Sequence, residues 1–128
     1  MNQNSPFKGK TGVKRVFNAA QYSVDGFKSA FKKEAAFRQI ILINIVLVPT
    51  TFFLNVSAAE QAIMITVCLL SIIVELFNSA IEAVVDLASP TRHPLAARAK
   101  DVAAGAVLIA AIGALIIATI IVVPRLAS

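Results

Sequence analysis

The sequence predicts an all-α integral membrane protein, with an N-terminal amphipathic surface helix, three transmembrane helices and assembly into an oligomeric bundle. Three observations predict it. The 128 residues are 58% apolar and only 15% charged, with a mean hydropathy of +0.80, whereas soluble domains are roughly half apolar and a quarter charged. Eight of the twelve Lys and Arg residues stand in the first 38 positions, as Lys8, Lys10, Lys14, Arg15, Lys28, Lys32, Lys33 and Arg38, opposed there only by Asp25 and Glu34. Residues 40–54, 62–74 and 102–123 contain no Lys, Arg, Asp or Glu at all. This hydrophobicity excludes a disordered chain, and a single cysteine excludes an intrachain disulfide or a multi-cysteine zinc site. The net charge of +5 is concentrated at one end, so no nucleic-acid partner is expected. The length suits one domain, residues 1–128.

The first element is expected at about residues 10–33. Val13, Val16, Phe17, Ala20, Val24, Phe27 and Phe31 recur at i, i+3, i+4, i+7, i+11, i+14 and i+18, which is one helical stripe. Lys14, Arg15, Lys28, Lys32 and Lys33 lie off it or flank it. A basic amphipathic helix of this kind lies in the membrane interface, held by its apolar face and by anionic lipid. A plain membrane anchor accounts for the segment equally well. Gly26 is a point at which the helix is expected to divide. Arg15 and Tyr22 fall off the apolar stripe and are available to a ligand. The long polar stretch before the first apolar run does not fit a cleavable signal peptide.

Three membrane spans follow, at about 35–54, 61–86 and 101–123. The third is the clearest, because 22 uncharged residues at 1.5 Å each exceed a hydrocarbon core of roughly 30 Å. Pro49 lies inside the first span and either kinks it or is tolerated. Pro90 and Pro94 break helix in the loop after the second span, and Pro124 is expected to end the third. The loop at 55–60 has no Lys or Arg, the loop at 87–101 has Arg92, Arg98 and Lys100, and the tail has only Arg125. The positive-inside rule therefore places the N-terminus and the second loop in the cytoplasm and the C-terminus outside.

The second span holds the chemistry. Glu75, Asn78, Glu82 and Asp86 are spaced i, i+3, i+7 and i+11, which confines them to an arc of about 80° on one helix. A carboxylate at bilayer depth costs about 2.5 kcal/mol or more, so the stripe needs a partner, a wet cavity or a cation. Glu34, Lys100 and Asp101 stand at the cytoplasmic ends of the neighbouring spans and are expected at the depth of Glu82 and Asp86. Carboxylates with open positions suit Mg²⁺ together with substrate phosphates, and a nearby lysine suits a polyphosphate. Glu75, about two turns deeper, is placed to meet a polar group of a molecule residing in the bilayer. A structural ion pair of Glu82 with Lys100 in a non-enzymatic membrane subunit, or a proton or ion pathway, uses the same stripe. There is no P-loop or Gly-x-Gly-x-x-Gly motif. With one histidine, no Ser-His-Asp arrangement is available. His93, between Arg92 and Pro94, reads as a solvated loop residue, and Cys68 as packing. Burying the stripe calls for several copies of the chain, and Ala106, Ala110, Ala114 and Ala118 form a small-residue repeat suited to close helix approach.

Glu34-Ala-Ala-Phe-Arg-Gln39, Glu75-Leu-Phe-Asn78-Ser-Ala-Ile-Glu82-Ala-Val-Val-Asp86 and Arg98-Ala-Lys100-Asp101 resemble the prokaryotic diacylglycerol kinases, in order and in spacing. The resemblance runs from about Arg15 to the third span. It implies a bacterial inner-membrane homotrimer whose active sites are shared between subunits near the cytoplasmic interface. The activity implied is MgATP-dependent phosphorylation of the primary hydroxyl of diacylglycerol to phosphatidic acid. By the same resemblance Glu75 is the catalytic base, Glu34 and Glu82 are the metal carboxylates, and Asn78 supports the site. Lys100 and Asp101 bind nucleotide, Thr91, Arg92 and His93 form a loop beside it, and Arg15 and Tyr22 approach nucleotide and lipid. A related branch of the superfamily phosphorylates undecaprenol and shares these motifs. Val24 and Phe31 occupy positions where the best-known members carry Trp.

Overall fold

A computed structural model describes residues 11–127, which form four α-helices: α1 Gly12–Lys33, α2 Ala35–Thr51, α3 Ala58–Ala88 and α4 Pro94–Ala127. Lys8 and Lys10 lie outside the described residues. No strand occurs among those described. At 1.5 Å per residue, α3 and α4 measure about 46 and 51 Å, more than a bilayer core needs. Both are apolar enough to cross it. The 17 residues of α2 extend about 26 Å, at the lower limit for a span. The protein is an all-α membrane protein.

The helix ends follow from local chemistry. Ser57 begins α3 with a reciprocal capping box, its Oγ accepting from the Glu60 N–H while Glu60 Oε1 accepts from the Ser57 N–H. These bonds satisfy two orphan donors of the first turn. Pro94 is the first residue of α4, a position where its missing N–H costs nothing. His93 Nδ1 accepts from the Leu95 N–H at 3.0 Å, so His93 caps this helix and is more than a solvated loop residue. Pro49 lies inside α2, which continues through it to Thr51. It sits in the last turn, where Thr50 and Thr51 hydroxyls donate to the Val46 and Val48 carbonyls. Pro124 does not stop α4, which continues to Ala127. Gly26 does not divide α1, since one helical glycine costs only about 1 kcal/mol relative to alanine.

Between α1 and α2 the chain turns through 107°. Glu34 alone makes the break, with extended backbone angles (φ −114°, ψ 109°) between two helical neighbours. No residue of α1 is buried. Its apolar stripe faces outward, with Val13, Val16 and Phe17 all exposed, as an interfacial helix at right angles to a bundle requires.

Helix α3 is central. It touches α1, α2 and α4, whereas α2 and α4 do not touch each other. Thr51 meets Gln61 and Asn44 meets Ser71 across α2 and α3, so these helices run antiparallel. Glu60 pairs with Arg125 and Asp86 with Lys100 at opposite ends of the antiparallel α3–α4 hairpin. Among the covered positions, one run on each helix steps by alternating fours and threes: 37, 41, 44, 48 and 51 on α2; 64, 68, 71, 75, 78, 82 and 85 on α3; 103, 107, 110, 114, 117 and 121 on α4. This is the seam of left-handed helix packing. Among the described residues the buried apolar side chains are Phe37, Met64, Ala103 and Ile121, and of these only Phe37 is fully enclosed. Most large apolar side chains, among them Leu108, Ile109 and Leu115 on α4, point out of the bundle, as expected where the surrounding solvent is hydrocarbon.

Candidate active site

The antiparallel packing gathers the end of α1, the start of α2, the second half of α3 and the start of α4 at one end of the molecule. Glu34 caps both α1 and α2 through its backbone. Its N–H donates to the Ala30 carbonyl at 2.9 Å and its carbonyl accepts from the Arg38 N–H at 3.1 Å. Its carboxylate forms no capping bond to α2, and the side chain is half-buried.

On α3 the acidic stripe turns inward. Glu75 is only 3% exposed, and Asn78 is buried beside it. Asn78 Nδ2 donates to Glu82 Oε1 at 3.3 Å, and Asn78 lies one helical turn from Glu75 on α3. Asn78 Oδ1 is buried without a partner. Glu75 lies within electrostatic range of both Glu82 and Glu34. Three like charges thus share one end of the bundle with an amide between two of them. Such a cluster is costly in apolar surroundings unless a proton or a cation relieves it.

A cleft of about 550 Å³ opens next to this cluster at the α3–α4 turn. Thr91, Arg92, His93 and Lys100 line it, together with Asp86. Lys100 Nζ pairs with Asp86 Oδ1 at 2.5 Å. The ion pair anticipated for Lys100 with Glu82 is therefore made with Asp86, because the hairpin register places Asp86 opposite Lys100 and leaves Glu82 to Asn78. Asp101 is exposed on the next residue of α4. Arg15 and Tyr22 are exposed on α1, and the helix rise places them about 28 and 18 Å from Glu34. Within one chain, Arg15 is beyond the reach of a phosphate held at Glu34.

Two participants in this region had no assigned role in the sequence. Asp86 was legible as the last member of the acidic stripe. Arg38, four residues after Glu34, stands where a helical ion pair is ordinarily formed. Its Nη1 donates instead to the carbonyls of Phe31 and Lys32, at 2.8 and 3.0 Å.

Comparison with known proteins decides the family. Residues 21–122 match the family model described as prokaryotic diacylglycerol kinase. The chain belongs to the prokaryotic diacylglycerol kinase family. It is similar to a diacylglycerol kinase of Pseudomonas aeruginosa, with 58% identity over 83% of this chain and 86% of that one. It is 45% identical to a diacylglycerol kinase of Haemophilus influenzae, over 78% of this chain and 85% of the relative. A diacylglycerol kinase of Escherichia coli is 44% identical, over 83% and 87%. The family match covers Tyr22, Glu34 and every assigned residue after it, while Arg15 precedes it.

Proposed function

We propose that this chain is a diacylglycerol kinase that transfers the γ-phosphoryl group of MgATP to the primary hydroxyl of diacylglycerol, giving phosphatidic acid. The reaction takes place at the cytoplasmic face of a bacterial inner membrane, with the N-terminus inside and the C-terminus outside. The observation that carries this reading is the buried Glu75 on a helix apolar enough to span a membrane, in range of Glu34 and Glu82 and on the same helix, about three turns on, as the Asp86 edge of a cleft lined by Lys100 and Arg92. It joins an acid placed for a membrane-resident alcohol to cations placed for a water-soluble polyanion.

Glu75 accepts the proton as the lipid oxygen forms its bond to the γ-phosphorus and the bridging oxygen leaves with ADP. Such general-base assistance is worth typically 10²–10⁴-fold. Asn78, bonded to Glu82, orients the two carboxylates. Lys100, Arg92 and His93 bind polyphosphate in the cleft, and Asp101 and Thr91 stand at its margin to meet the rest of the nucleotide. Transfer of this kind depends on positioning and charge neutralisation more than on covalent help.

The residues fit Mg²⁺. Glu34 and Glu82 supply carboxylate oxygens, and Asn78 has a buried carbonyl oxygen without a partner. Among the described residues no three His, Cys, Asp or Glu side chains converge. Mg²⁺ takes one or two protein carboxylates and fills its shell with water and substrate phosphates. When bound there, Mg²⁺ neutralises phosphate charge. The distance of Arg15 and Tyr22 from Glu34 favours a homotrimer in which α1 of one subunit completes the site of another.

Radiolabelled ATP with purified protein in mixed micelles, offered diacylglycerol and undecaprenol side by side, tests the reading. Label is expected in phosphatidic acid. Label in undecaprenyl phosphate alone moves the chain to the other branch. Mg²⁺-independent ion flux through sealed vesicles, with neither lipid labelled, would reject a kinase.

A further inference from the structure

We infer that Arg38 is a positioning residue for this reaction: by binding the last carbonyls of α1 it sets the α1–α2 elbow and leaves the Glu34 carboxylate uncompensated for a divalent cation. The inference rests on the reading of Glu34 as a metal carboxylate.

Arg38 lies in the first turn of α2, one turn after Glu34. A Glu and an Arg four residues apart on a helix ordinarily attract one another, but Glu34, with extended backbone, stands just outside α2. Here they are not paired, and the ion pairs among the described residues are Lys100 with Asp86 and Arg125 with Glu60. Arg38 Nη1 instead crosses the bend and donates to the Phe31 and Lys32 carbonyls. Those two acceptors are among the orphan carbonyls that end any helix, and a cation there also meets the negative end of the helix dipole. The guanidinium thus closes α1 and ties its end to the start of α2. An edge-on contact between Phe27 of α1 and the buried Phe37 of α2, with centroids 5.0 Å apart and rings at 80°, holds the same corner.

Between these two ties stands one residue. Glu34 is fixed by backbone bonds on both sides, its carboxylate caps nothing, Arg38 one turn on is engaged with the end of α1, and neither Lys32 nor Lys33 forms an ion pair with it among the described residues. If Arg38 swung back to Glu34, the carboxylate would be neutralised and the elbow released together. Arg38 therefore acts through Glu34 and needs no contact with substrate.

The test compares Arg38→Leu and Arg38→Lys with the wild type, in micelles. Mn²⁺ serves as a paramagnetic probe with a non-hydrolysable ATP analogue, and lipid phosphorylation is titrated against Mg²⁺. Arg38→Leu is expected to weaken Mn²⁺ binding by roughly tenfold, as loss of an orienting partner does, and to raise half-saturating Mg²⁺ by a similar factor. At saturating Mg²⁺, kcat should return to near the wild-type value. Arg38→Lys, which keeps a donor for one carbonyl, should recover part of the affinity. Unchanged Mn²⁺ affinity in folded Arg38→Leu would overturn the inference, as would a kcat loss that Mg²⁺ does not repair. If Arg38→Leu does not fold, Arg38→Lys decides alone, with wild-type Mn²⁺ affinity counting against the inference. A wild type that binds no Mn²⁺ with nucleotide would remove the underlying reading of Glu34, a failure distinct from the others.

Discussion

Glu75 and Lys100 lie at the same end of the molecule and owe their partners to different things. The position of Glu75 follows from helical arithmetic: with Asn78 and Glu82 it recurs on one face, and the structure buries that face. Lys100 pairs with Asp86 only because the α3–α4 turn sets the hairpin register, and the chain itself allowed Glu82 as readily. The same holds for Arg38, whose spacing from Glu34 points to an ion pair that the bend prevents. One prediction belongs here. Glu75→Gln keeps the shape and hydrogen bonding of the side chain and removes its basicity. It should lower lipid phosphorylation by at least about 10²-fold, while nucleotide binding, read by an ATP analogue in the same micelles, stays within a factor of two or three of the wild type. Retained turnover would reject Glu75 as the base.

The helices themselves were legible because their causes are local. The apolar stripe of α1 and the uncharged runs of the spans are written in short stretches of residues, whereas the Ser57–Glu60 box that starts α3 at Ala58 went unread, and Pro94, expected to break helix in the loop, opens α4. Proline positions were harder to read. Pro49 and Pro124 both fall in last turns, where a proline disturbs little, and only the helix ends show this. Gly26, a point at which α1 could divide, is an uninterrupted part of it. A Cβ added there meets nothing within 4 Å, and the backbone is already helical. Gly26→Ala should therefore stabilise α1, by about 0.5–1 kcal/mol. Slower amide exchange across α1 without loss of kinase activity is the expected result, and faster exchange would show that the glycine is needed for its conformation.

At the scale of the molecule, several features of one chain point outward. Apolar side chains cover its outside, Arg15 stands about 28 Å from Glu34, and the small-residue repeat of α4 is only partly used. Ala110 and Ala114 are half-covered within the chain, whereas Ala106 and Ala118 remain exposed. These features suit further copies. If α1 of one subunit completes the site of another, then Arg15→Ala and Glu75→Gln chains, each inactive alone, should recover activity when reconstituted together. No recovery in assemblies shown by cross-linking to be mixed would mean that each chain's site is self-contained. The family, the helices and the acidic face were determined by the sequence alone, because each depends on residue type and spacing over one or two helical turns. Which acid meets Lys100, what Arg38 holds and how sharply the chain bends at Glu34 were decided only by the tertiary structure, because those contacts join separate helices whose register no local spacing encodes.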